Sequence, residues 1–144
     1  MYHTVLVPLD GSERAESILP HVQDLAQHYK SRIVLLTVLE EPRTVVAPDG
    51  IYIPSEKVIQ EHYNAIESYL KKHQTRFAEM GFQVKIRVAY GRVVDEICKA
   101  AREENADLLA LASHGRTGLA QVFYGSVAAA ILHRIDRALL LIRA

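Results

Sequence analysis

The chain has 144 residues, of which 49% are hydrophobic and 24% charged, and its 17 Lys and Arg balance 17 Asp and Glu. That composition is globular rather than disordered or fibrous, the length fits one domain over residues 1–144, and a neutral chain has no net field to draw it onto nucleic acid or an anionic membrane. One cysteine cannot form an internal disulfide, MYHTVLVPLD lacks the regions of a secretory leader, and no apolar run approaches the ~20 residues of a spanning helix, so the chain reads as soluble and cytoplasmic.

The first element is TVLVPL, residues 4–9, a β-branched run that stops at Asp10, Gly11 and Ser12 as a buried strand does at a turn. Ser12 can cap a helix whose apolar positions Ala15, Ile18, Leu19, Val22, Leu25 and Ala26 keep helical spacing. Pro20 falls inside it and predicts a kink, since an interior proline costs about 3 kcal/mol. IVLLTVL, residues 33–39, has no alternation and predicts a central strand covered on both faces. Residues 40–55 hold Pro42, Pro48, Gly50 and Pro54, which predict an irregular flap.

A long helix follows from Ser55 to Met80, with Val58, Ile59, Tyr63, Ile66, Leu70 and Phe77 on one face and Gly81 as its stop. Phe82, Val84, Ile86 and Val88 alternate with polar residues and predict an edge strand. Val94, Ile97, Cys98 and Ala101 mark a third helix, and DLLALA, residues 107–112, a fourth buried strand. After the loop SHGRTGLAQVFYGS come a fourth helix, with Val127, Ala128, Ile131, Leu132 and Ile135 on its apolar face, and a last strand ALLLI.

Strands alternating with helices imply right-handed βαβ units and a doubly wound three-layer α/β/α domain, Rossmann-like, with a five-stranded, mainly parallel sheet in the order 3-2-1-4-5 of its strands. Such sheets bind ligands beyond the carboxyl ends of their strands, where the strand order reverses. Two unusual segments lie there: the turn Asp10 to Ser12 and the loop Ser113 to Ser126. Gly115, Gly118 and Gly125 allow close backbone approach to a phosphate, and Ser126 opens a helix whose free amides favour an anion. Each residue alone has a plainer use, Gly118 relaxing a turn and Ser126 capping the helix, but together at the sheet's carboxyl end they point to phosphate. No Gly-Lys-Ser or Gly-Lys-Thr occurs, which excludes the ordinary P-loop.

VLVPLDGSERAE near the start and LASHGRTGLAQVFYGSVAAAIL near the end resemble the universal stress protein family, and the likeness covers essentially the whole chain. Nucleotide-binding members carry Gly, two residues, Gly, nine residues, then Gly with Ser or Thr. RTGLAQVFY supplies the nine between Gly115 and Gly125-Ser126, while Ala112 replaces the first glycine and adds a methyl where backbone nears the ligand. The resemblance implies an ATP site, taking ADP or AMP in its place, formed by Pro8, Asp10, Val38, Leu111, Ala112, Gly115, Arg116, Gly125, Ser126 and Val127. Asp10 would face ribose or adenine, and Val38 would offer backbone to the base. Mg2+ would arrive with the phosphates. It also implies a homodimer through the last strand, whose apolar ribbon would otherwise be an open edge.

Asp10 serves equally to hold its turn, and Arg116 either reaches a terminal phosphate or stays solvated. His114 lacks a carboxylate to orient it as a catalyst, Cys98 reads as a small core hydrophobe, and Gly91 reads as a turn. The expected function is therefore a nucleotide-responsive binding module, with hydrolysis at most slow. The alternatives are a genuine ATPase and a family member that acts through protein contacts without nucleotide.

Overall fold

A computed structural model of the protein describes residues 1–40, 44–113 and 126–144. The chain runs through β1 (Thr4–Pro8), α1 (Glu13–Glu16), α2 (Leu19–Tyr29), β2 (Arg32–Leu39) and a short pair, β3 (Val45–Ala47) and β4 (Gly50–Tyr52). It continues with α3 (Glu56–Glu79), β5 (Val84–Tyr90), α4 (Val93–Glu103), β6 (Leu108–Ser113), α5 (Ser126–Arg134) and β7 (Ala138–Arg143). Five strands make a parallel sheet in the order β5-β2-β1-β6-β7, the arrangement the alternation of elements predicts.

The period of two along the central strands sorts their side chains between two cores. Val5, Val7, Ile33 and Leu35 meet Ile18, Val22, Leu70 and Phe77 of the α1–α2 and α3 layer. Leu6, Val34, Leu36 and Leu109 meet Ile97, Cys98 and Ala101 of α4 and Ala128 and Ile131 of α5. Most of these are wholly buried, and each large aliphatic or aromatic side chain so removed from water stabilises the fold by roughly 1.5–3 kcal/mol. Cys98 packs among them, as a core residue does.

Three expectations need correction. The helix expected to kink at Pro20 is two helices, with α1 ending at Glu16 and Pro20 in the first turn of α2, where a missing N–H breaks no intrahelical bond. Part of the segment expected to be irregular forms an antiparallel hairpin, Val45 opposite Tyr52 and Ala47 opposite Gly50. Its punctuators fall outside the ladder, Pro48 in the turn and Pro54 beyond β4, and leave the β-branched residues to pair. Val58 and Leu132, expected on apolar helix faces, are exposed. For Val58 the cause is length: the 24 residues of α3 span about 36 Å, more than a strand of seven or eight residues, so its first turns outrun the sheet and burial is complete only at Leu70, His73 and Phe77. Among the described residues no helix is long and apolar enough to cross a membrane.

At the amino end of the sheet the buried Glu104, the C-cap of α4, gathers three cations. Its carboxylate accepts from Lys85 Nζ at 2.7 Å and Arg87 Nη1 at 3.2 Å, and Arg32 Nη2 lies 3.5 Å away. Burial works to raise its carboxyl, but the hydrogen bonds and charges of Lys85 and Arg87 prevail and hold it below the ordinary glutamate value. A depressed carboxyl contributes stability above its unfolded pKa and loses it as pH falls through the folded one. Glu104→Ala is therefore expected to cost about 2 kcal/mol in urea unfolding at neutral pH, less than a sealed ion pair because Lys85 is half exposed. The deficit relative to the parent protein should shrink as pH drops below the ordinary carboxylate range.

Candidate functional site

β1 and β6 are neighbours in register only at Val5 with Leu108 and Leu6 with Leu109, whereas β1 stays paired with β2 as far as Pro8 with Leu36. Beyond Leu6 the two strands separate, because β1 leads into α1 on one face of the sheet and β6 leads toward α5 on the other. This is where the strand order reverses, and the gap is a cavity of about 160 Å³ that opens to solvent.

The turn after β1 forms one wall. Gly11 takes a left-handed φ of 87°, and the Asp10 carboxylate accepts from the Ser12 backbone N–H at 2.9 Å and its hydroxyl at 2.6 Å. Ser12 Oγ in turn accepts from the Ala15 N–H at 3.1 Å, so Ser12, and not Asp10, caps α1. Asp10 thus holds its turn and also lines the cavity. Behind the turn, Glu16 Oε1 lies 3.1 Å from Nε2 of the buried His73, and Tyr69 stands edge-on to that ring at 4.9 Å. Burial first, and then the Glu16 and Asp10 carboxylates, push the Tyr69 phenol well above its ordinary pKa. The cluster seats α1 on α3.

Leu36, Val38 and Leu111 from the strands and Val93 and Ile97 from the start of α4 give the cavity an apolar wall. Asp10, Ser12, Arg14, Ser113 and Ser126 supply its polar groups. Seven residues expected from sequence therefore come together: Pro8, Asp10, Val38, Leu111, Ala112, Ser126 and Val127. Gly115, Arg116 and Gly125, with His114 and Gly118, lie outside the described residues. Gly91 is a turn residue, with φ 141° and its N–H on the Leu39 carbonyl at 3.0 Å. Sequence reasoning missed Arg14, Val93 and Ile97. Ile97 belongs to the helical stripe read as core, which also opens at the end of the sheet, whereas Val93 falls outside that stripe and Arg14 carries no local signal beyond its charge. Among the described residues no group of three or more His, Cys, Asp or Glu could hold a metal ion.

Fold and cavity define a doubly wound α/β protein with its site at the switch point of the sheet. The chain belongs to the universal stress protein family, whose model matches residues 1–143. Universal stress protein MJ0577 of Methanocaldococcus jannaschii is 27% identical, with 99% of this chain and 96% of that protein covered, and its solved structure superposes with a TM-score of 0.65. A universal stress protein family structure from Burkholderia pseudomallei is 26% identical at a TM-score of 0.77, covering 99% of this chain and 97% of that one. A universal stress protein solved in complex with cAMP shares the fold at 23% identity and a TM-score of 0.70, covering 99% of this chain and 97% of that one.

Removing the Ser12 hydroxyl deletes both the α1 cap and one Asp10 partner, so Ser12→Ala is expected to lower stability by about 1 kcal/mol in urea unfolding. Asp10→Asn keeps an acceptor for the Ser12 N–H and should cost clearly less in the same measurement.

Proposed function

We propose that this chain is an adenine-nucleotide-binding module of the stress response that holds ATP, or ADP or AMP in its place, in the cavity between β1 and β6. The observation that carries this reading is the cavity's division: an apolar slot of Val38, Leu111, Val93 and Ile97 suits a planar base, and beside it stand a fixed carboxylate and three serines. Asp10, oriented by Ser12, is suited to accept from ribose hydroxyls, and Val38 ends the slot where the base would meet backbone. Gly115, Arg116, Gly125 and Ser126 are assigned to the phosphates by the family's glycine spacing and by the helix start at Ser126. Mg2+ would come with those phosphates. The cAMP complex of a universal stress protein supports the reading in that a protein of this fold holds an adenine nucleotide. Asp10 already accepts two bonds from Ser12, which suits holding a ligand better than activating water.

The module acts as a homodimer through β7. That strand is an edge of the sheet, and Leu139, Leu140, Leu141 and Ile142 are only half-buried there. Of Arg143 and Arg137, the candidates to guard the edge by charge, Arg143 is exposed at the end of β7 and Arg137 is turned inward, donating to the carbonyls of Ala101 at 2.8 Å and Ala106 at 2.7 Å. Two-fold antiparallel pairing would satisfy the free amides and carbonyls and cover the leucines.

Mass spectrometry of ligand released from the purified, denatured protein is expected to detect an adenine nucleotide. In calorimetry a folded Gly125→Val variant should lose ATP binding, and unchanged affinity would remove Gly125 from the site. Sedimentation equilibrium at micromolar concentration should give the dimer mass; a monomer mass would refute pairing through β7.

A further inference from the structure

We propose that Arg14 reads the phosphate chain of the ligand, so that the cavity ranks nucleotides by their charge; this rests on the nucleotide reading of the same cavity. Among the described lining residues the charged ones are Asp10 and Arg14. Asp10 is held at the end of β1 by Ser12, and its negative charge forces the phosphates of any ligand away from it.

The position of Arg14 is set by its short helix. Ser12 caps the first turn, Ala15 packs onto the core, and Glu16 meets His73, so the backbone of α1 is pinned on both sides of Arg14. α1 packs against β6, the strand that ends at Ser113, and Arg14, Ser113 and Ser126 line one cavity. The other charges on this stretch are acidic: Asp10, Glu13 and Glu16. Without Arg14 the stretch repels a polyphosphate; with it, a planar fork of donors matches phosphate oxygens two at a time. Neutral adenosine would gain nothing from that fork. Discrimination should therefore grow with the number of phosphates.

The test is calorimetric titration of the parent, Arg14→Met and Arg14→Lys proteins with adenosine, AMP and ATP, at low and at physiological salt. Arg14 is exposed, and thermal unfolding of each variant separates a loss of native contacts from a loss of ligand affinity. Arg14→Met is expected to weaken ATP by about tenfold to a hundredfold, the value of one charge-assisted pair, to weaken AMP less and to leave adenosine unchanged. The salt dependence of ATP binding should flatten, and Arg14→Lys should restore part of the loss. An unchanged ratio of ATP to adenosine affinity in Arg14→Met, with the parent binding both, overturns the role of Arg14 alone. If the parent binds none of the three ligands, the nucleotide reading of the cavity fails and this assignment with it.

Discussion

Covering both faces of a parallel sheet is the constraint on which the rest of this molecule depends. Val5, Leu6 and Val7 are consecutive and all without solvent exposure, which is attainable only when one helical layer takes the odd positions and another the even one. With helices on both faces, a ligand can meet polar backbone only at a strand end. The chain leaves the neighbouring strands β1 and β6 toward opposite faces, and there the strands part and a cavity opens. The site is thus a product of the packing rule and needs no special sequence to create it, only residues to furnish it.

The furnishing is concentrated in α1, which exists as a separate element because Pro20 suits the beginning of a helix better than its middle. One continuous helix would run from Ser12 to Tyr29 with a single direction. The break instead lets α1 follow the end of β6 while α2 follows the sheet. A four-residue helix has little stability of its own, and here it is held by the Ser12 cap, the Ala15 contact and the Glu16–His73 pair. His73 belongs to α3, so a cavity wall is tied to a helix on the opposite side of its turn.

Much of this was legible in the residues because burial leaves a period. The unbroken runs of β1, β2 and β6 identified central strands, and alternation from Val84 to Val88 placed β5 at an edge. The turn at Asp10 and the helix start at Ser126 marked the carboxyl end of the sheet. What escaped depends on where an element stops relative to its neighbours. Val58 has the spacing of a core residue but lies on a turn of α3 with no strand beneath it. Ile97 has the same spacing and does lie over the sheet, at its open end. Proline density between residues 42 and 54 suggested disorder of structure, yet proline blocks a strand only where it falls in the ladder, and Pro48 does not.

The central place of β1 carries a consequence for biosynthesis. The Asp107 carboxylate accepts from the His3 N–H at 2.8 Å and the Thr4 N–H at 3.1 Å, partners separated by 104 and 103 residues in sequence. A nascent chain can zip β1 to β2 early, but the other margin of β1 has no mate until β6 has left the ribosome. At about 5–20 residues per second that delay is roughly 5–20 s, in which a strand destined for the centre of the sheet presents unmatched amides and carbonyls. Factors that shield emerging chains have their natural point of action here, before the sixth strand closes the centre.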